Sequence, residues 1–351
     1  MSQSTVTITT SAQAAQRVRA LVQRVAAIVI IAGTAIWLVR ALINDPVRFF
    51  SSVVAGFQNG TLYALIALGY TLVYGIIELI NFAHGDLFML GTLFAGFMIT
   101  TVFGHAVSGV SVAGWLAFLG ALIACMAFCA SINVTIELLA YRRLRRAPKL
   151  APLITAVGMS FILQGVGLVW NGSQQKSNWS SVLPKGFFNV GGVRIEYNLL
   201  IIVAITAPLL LLMSWIVTTT KVGKAMRATA QDQDAARLMG INVNRIISFT
   251  FALGGALAGA AGLIYQQTIG TTTFNLGFQL GLIAFTSAVL GGIGNLTGAV
   301  LGGVLIGVAQ GLNDGVGLGQ QWSQSFVFTI LILLMVFRPT GLLGHSSGEK
   351  V

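Results

Sequence analysis

The chain has 351 residues, 56% of them hydrophobic and only 8% charged, with 42 glycines, 6 prolines and a formal net charge of +11. A soluble domain carries roughly a quarter charged residues, so water is not its main solvent, and so apolar a composition excludes a disordered low-complexity chain. Basic residues fall in short clusters between apolar runs instead of one continuous patch, which argues for membrane orientation and against a nucleic-acid partner.

A membrane-crossing helix needs about 20 mostly apolar residues, and ten segments qualify: 25–43, 52–77, 86–104, 112–138, 151–170, 199–217, 246–267, 277–293, 297–313 and 321–337. The expected fold is an all-α integral membrane protein, a polytopic bundle of about ten transmembrane helices. Residues 1–16 are polar and read as a cytoplasmic tail. The first span is too long for a signal-peptide core and lacks a small-residue cleavage site, so it reads as an uncleaved helix. Residues 1–45 thus form a tail plus one extra helix, 46–345 the membrane domain and 346–351 a short tail. Only Gly294, Asn295 and Leu296 separate the eighth and ninth segments, so residues 277–313 are either two full spans or a broken or re-entrant pair.

Placing the N-terminus in the cytoplasm puts fifteen of the twenty Lys and Arg on the inner side. These are Arg17, Arg19, Arg24, Arg142, Arg143, Arg145, Arg146, Lys149, Lys221, Lys224, Arg227, Arg237, Arg245, Arg338 and Lys350. Arg40, Arg48, Lys176, Lys185 and Arg194 remain outside. The imbalance predicts an even number of spans with both termini cytoplasmic.

Two loops are long. The outer one, 171–198, holds Trp179, Phe187 and Phe188 and reads as a solvated connector or as a docking surface for an external solute-binding protein. The inner one, 218–245, reads TTTKVGKAMRATAQDQDAARLMGINVNR. In it Asp232 and Asp234 suit the start of a short helix, Arg237 its end and Gly240 its stop, as capping and the helix dipole require.

Ionisable groups within apolar segments are few and costly, which marks them as functional candidates. Glu78, His84 and Asp86 cluster in GYTLVYGIIELINFAHGDLFMLG, where Asn81, His84 and Gly85 interrupt the apolar run. That interruption is either a turn at the cytoplasmic boundary or a helix break exposing polar groups to a solute path. One His with two carboxylates is a poor metal site. Glu137 is the other acid near a span, which leaves proton coupling little support. Cys125 and Cys129, four apart, share a helix face and read as core. There is no G-x-S-x-G elbow and no phosphate-binding loop; Ser160, in VGMSF, lacks the elbow glycine, and His105 and His345 fall in loops. The chain is therefore expected to hydrolyse no ATP and to bind no cofactor or metal. Gly294, Gly298 and Gly302 recur every four residues, as do Gly255 and Gly259, a spacing that suits close helix–helix seams, with a gating hinge near Asn295 as the alternative.

Three stretches together resemble the branched-chain amino acid ABC permeases, from about residue 50 to 345. They are GYTLVYGIIELINFAHGDLFMLG, GKAMRATAQDQDAARLMGINVNRIISFTFALGGALAGAAGLI, and AFTSAVLGGIGNLTGAVLGGVLIG with RPTGLLG. The resemblance implies a permease subunit of the inner membrane that pairs with a second, related permease, two cytoplasmic ATPases and an external solute-binding protein. ATP and its Mg ion would be bound by the ATPases. Ala230, Gln231, Asp232, Asp234, Arg237 and Gly240 would form the coupling segment, and Glu78, Asn81, His84, Asp86 and Asn295 the candidate translocation path. Gln231 stands where relatives commonly have Glu, Glu78 where they have a small residue, and the first 45 residues have no counterpart in the short leucine-type members. Urea and short-amide permeases share these motifs, so the solute class stays open between amino acid and amide; a stand-alone secondary transporter is the more distant alternative.

Overall fold

The computed structural model describes residues 25–26, 28–29, 32–79, 81–104, 111–145, 147–148, 150–175, 181–184 and 186–344. The N-terminal tail with Arg17, Arg19 and Arg24, the loop residues His105, Arg146, Lys149, Lys176, Asn178, Trp179 and Lys185, and the C-terminal tail with His345 and Lys350 lie outside the described residues.

Helix α1 (Ala32–Asn44) stops where Asp45 turns the chain and caps α2 (Pro46–Ile77), its carboxylate accepting from Arg48 N at 2.9 Å. A proline at the first helical position suits that start, because its missing N–H would be unpaired there anyway. Glu78 closes α2 in the left-handed region at φ 53°. Helix α3 (Ala83–Phe97) follows after a short turn and runs on through a turn of π-helix, Met98–Val102. Helix α4 (Val112–Leu144), capped by Ser111, contains a second π-turn at Glu137–Tyr141. After α5 (Leu150–Asn171) comes an antiparallel hairpin, β1 (Phe187–Val190) and β2 (Val193–Glu196), turned on Gly191 and Gly192. Then follow α6 (Tyr197–Thr219), α7 (Lys221–Gln231), α8 (Gln233–Leu238), α9 (Val243–Ile269), α10 (Leu276–Gly291), α11 (Leu296–Val316) and α12 (Ser323–Phe337).

Among the described residues eight helices are long and apolar enough to cross a membrane, and α1 and α10 are shorter apolar helices. The protein is thus an all-α polytopic membrane protein, and each of the ten apolar segments is helical over most of its described residues. With 16 residues, α10 rises only about 24 Å, short of the roughly 30 Å hydrocarbon layer. The third span begins at Ala83 instead of residue 86, which places His84 and Asp86 inside the first turn of α3.

Helix α2 is the centre of the bundle: its apolar window is 83% buried, against 11% for α12. Its most extensive neighbour is α11, with α9 and α10 alongside. Lipid supplies no hydrophobic drive for helix association, so the helices must gain from close van der Waals approach, and small residues permit it. A Cβ on Gly303 would sit 2.5 Å from Ala64 Cα, one on Gly311 2.5 Å from Gly56 Cα, and one on Gly307 inside the backbone of Gly60. The same device joins α9 to α4, where a Cβ on Gly255 would lie 2.6 Å from Cys129 O and one on Gly259 inside Cys125, both cysteines being buried. It also joins α11 to α10, where Gly298 and Gly302 lie against Gly291. Gly294 departs from the seam expectation: it meets nothing, and its φ of 93° serves the turn between α10 and α11.

At the end opposite that turn, Gln267 Oε1 accepts from Val182 N at 2.8 Å, so the described part of the outer loop is pinned to the end of α9.

Position, not residue type, decides what each glycine tolerates. Gly307→Leu is expected to abolish recovery of monodisperse protein in detergent, since no rotamer change moves the Gly60 backbone. Gly158 faces open space on α5, and Gly158→Ala should leave the thermal midpoint unchanged or slightly raised, because Ala is the better helix former by up to about 1 kcal/mol.

Candidate functional site

The segment between α6 and α9 is capped at every step. Thr220 opens α7 by accepting from Gly223 N at 3.0 Å, and Gly223, Met226 and Thr229 turn inward. Asp232 then adopts an extended conformation that ends α7, and its Oδ1 accepts from Asp234 N at 2.8 Å and Ala235 N at 3.0 Å to start α8. Asp234 pairs with Arg237 one turn on. Gly240, at φ 82°, reverses the chain; Ile241 N returns to Ala236 O at 3.0 Å, and Asn242 caps α9 through Arg245 N at 3.2 Å. Ala230 and Gln231 form the end of α7, and the Asp232 cap makes the break after them, so the short helix starts where its capping residues predict. The result is a stiff protrusion whose tip carries two apolar side chains, Leu238 at 89% and Met239 at 82% exposure.

Glu78 does not join His84 and Asp86. It faces a cleft of about 380 Å³ shared with Ile76, Ile77 and Thr229–Gln233, so the end of α2 meets the end of α7. Asn81 is buried and its Oδ1 accepts from the Tyr141 hydroxyl at 2.9 Å, tying the α2–α3 turn to α4. His84 fills the space where Gly69 lacks a side chain, with Tyr70 edge-on at 4.8 Å between ring centres. The Asp86 carboxylate is fully buried and accepts from the Ser160 hydroxyl and, at 3.4 Å, from Gln164 Nε2. Gly85 lies against Gly277 and Gly281 of α10. The first turn of α3 is thus a packed junction of α2, α5 and α10, and the polar groups expected to form one cluster split between that junction and the helix ends.

Asn295 sits on the rim of a larger cleft of about 780 Å³ at the same end, lined by Thr71, Gly75, Ser214, Arg227 and the turn Ile293–Thr297. Its Oδ1 caps α11 through Gly298 N at 3.0 Å, and its Nδ2 donates to Leu343 O at 2.8 Å. The C-terminal RPTGLLG stretch is held there too, with Leu342 N on Leu290 O at 2.8 Å and Leu343 N on Gly291 O at 3.0 Å. The clefts offer hydroxyls, amides and backbone groups. Among the described residues no group of three or more His, Cys, Asp or Glu could hold a metal ion.

Sequence reading passed over Gln164 and Tyr141 and weighed Ser160 only as a nucleophile. Ser160 and Gln164 are four apart on α5, a spacing that could have marked one polar helix face, but their carboxylate partner lies 74 and 78 residues away and only the fold brings it in.

The chain from residue 52 to 336 matches the family model for branched-chain amino acid transport system permease components. It is 39% identical over 308 residues to the high-affinity branched-chain amino acid transport system permease protein BraD of Pseudomonas aeruginosa, covering 87% of this chain and 98% of that one. The corresponding LivH proteins are 36% identical in Escherichia coli K12 and 37% in Salmonella typhimurium LT2, each over 308 residues, 86% of this chain and 98% of the relative. The match begins beyond α1. With eight long apolar helices among the described residues, every one of them overlapped by the family match, the chain belongs to the permease components of branched-chain amino acid transport systems.

Proposed function

We propose that this protein is the membrane-spanning permease subunit of an ATP-driven importer, that its solute is a branched-chain amino acid, and that α8 is the element through which partner ATPases drive it. One observation carries the reading beyond family: a short capped helix, seated on the bundle by the buried Ala236, that shows Leu238 and Met239 almost fully to its surroundings. Exposed apolar side chains on a rigid protrusion mark an interaction surface. Relatives named for branched-chain amino acid systems favour that solute over urea or a short amide.

In this reading the chain carries out no chemistry of its own and binds no cofactor or metal. ATP and Mg act on two cytoplasmic ATPases, a second permease completes the path, and an external solute-binding protein delivers to the end that carries the β1–β2 hairpin. Both termini face the cytoplasm of the inner membrane, by the lysine and arginine balance. Closure of the ATPases displaces α8, and because α8 is locked to α9 by the Gly240 turn and joined to α7 at Asp232, the displacement reaches the larger cleft and the α2–α3 turn as a rigid-body motion.

Affinity purification of the tagged chain from its native host in mild detergent, followed by mass spectrometry, tests the assembly. Two ATPase subunits and a second permease in stoichiometric amounts are expected; the chain alone, under conditions that preserve a control ABC complex, would favour a stand-alone transporter. Reversing the charge at Asp232 or Arg237 should lower uptake and stimulated ATP hydrolysis at least fivefold with folding intact, since loss of a cap costs only about 1 kcal/mol; wild-type rates in both variants would remove α8 as the coupling element. His84→Ala, which empties the space against Gly69, should reduce uptake more than assembly, whereas equal loss of both would assign the residue to packing alone.

A further inference from the structure

A buried charge cluster adjoins the protrusion without belonging to it. Glu137, at the inner end of α4, has no exposed surface, and its carboxylate is held by Arg142 through Nε at 3.3 Å and Nη2 at 3.2 Å, by Arg145, and by the Ser248 hydroxyl at 2.6 Å. Arg142 Nη2 also donates to Ser248 Oγ at 2.8 Å, and Arg145 Nη1 to Asn244 Oδ1 at 2.7 Å. Both Asn244 and Ser248 lie in the first two turns of α9, directly after the chain leaves α8. The π-turn Glu137–Tyr141 brings Glu137 toward Arg142, since in a regular α-helix groups five apart point to different faces, whereas Arg145, eight on, shares the Glu137 face.

The cluster reaches further on both sides. Tyr141, in the same π-turn, donates to Asn81 in the α2–α3 turn. Tyr141, Arg145, Leu79 of that turn and Gln233 of α8 line a single gap of about 30 Å³, and Arg237 of α8 is close enough to Arg145 to be felt electrostatically. An ion cluster built on a fully buried carboxylate resists distortion, because moving its partners away strands Glu137 in a medium of low dielectric. It therefore transmits displacement where an apolar contact would slide.

We propose that Glu137, with Arg142, Arg145 and Ser248, is the clamp that makes α4 and α9 move as one body, and that Tyr141 carries that motion to Asn81 and the α2–α3 turn. These are positioning residues acting through other elements, and the proposal rests on the reading of α8 as the ATPase-driven element. It assigns to the π-turn the job of delivering the same push to α2 and α3 that α9 receives from the backbone.

The test is the assembled transporter in proteoliposomes, reading solute uptake per ATP hydrolysed. Glu137→Gln and Ser248→Ala are expected to keep assembly and basal ATP hydrolysis within about twofold of wild type while lowering uptake per ATP at least fivefold, and Ser248→Thr should restore it. Should Glu137→Gln fail to fold, the triple change Glu137→Met, Arg142→Met, Arg145→Met removes every charge at similar volume, a replacement buried ion clusters commonly tolerate; it is expected to assemble and remain uncoupled. Tyr141→Phe, which deletes only the bond to Asn81, should lie between Glu137→Gln and wild type. Wild-type uptake per ATP in the triple variant, or uptake and ATP hydrolysis falling together in proportion to lost complex, would overturn the clamp. A wild-type chain that recruits no ATPase would instead overturn the α8 reading on which the clamp depends, so the two failures are told apart.

Discussion

The backbone-to-backbone seam between α2 and α11 is the constraint on which the rest of the molecule depends. Gly56, Gly60, Gly303, Gly307 and Gly311 bring the two helices so close that a methyl group at any of them would meet main chain. In lipid this closeness stands in for the hydrophobic effect, since burying leucine against leucine gains little over burying it against an acyl chain. With α2 fixed, α9 and α10 pack on its remaining sides and α3 is held between α9, α10 and α5. Helices at the margin, α5, α6 and α12, keep most of their apolar surface exposed.

That central pillar also determines what happens at its ends. Glu78 closes α2 beside the end of α7, Gly75 and Thr71 border the larger cleft, and Asn81 begins the turn into α3. Any movement of the α7–α8 segment is therefore felt first at the end of the least deformable helix. A close-packed interior does not absorb such a push by compression, so the bundle responds by shifting whole helices. Capped termini around Asp232, Gly240 and Asn242 keep the α7–α8 segment stiff.

Much of this was legible in the sequence, and the reasons are local. Spans follow from runs of apolar residues, and the α8 helix from Asp232, Asp234, Arg237 and Gly240, because caps and dipole partners lie within one turn of what they stabilise. Gly255, Gly259, Gly298 and Gly302 could be marked by their spacing, yet the same spacing wrongly drew in Gly294, whose turn conformation no periodicity records. What the sequence could not show is tertiary: the partners of Asp86 lie on α5 and those of Glu137 partly on α9, and the π-turn that points Glu137 toward Arg142 breaks the regular spacing on which sequence reading relies.

The most direct measurement is a cross-link from the tip of α8. Both described cysteines, Cys125 and Cys129, are buried, so a photoreactive label on Met239→Cys would report from that exposed position alone. Irradiation of the assembled complex should give one adduct of the chain with an ATPase subunit, with a yield that changes on addition of ATP. An intact, ATP-hydrolysing complex in which the labelled tip reacts only with lipid or solvent would contradict the role given to α8 and, with it, the route by which the bundle is driven.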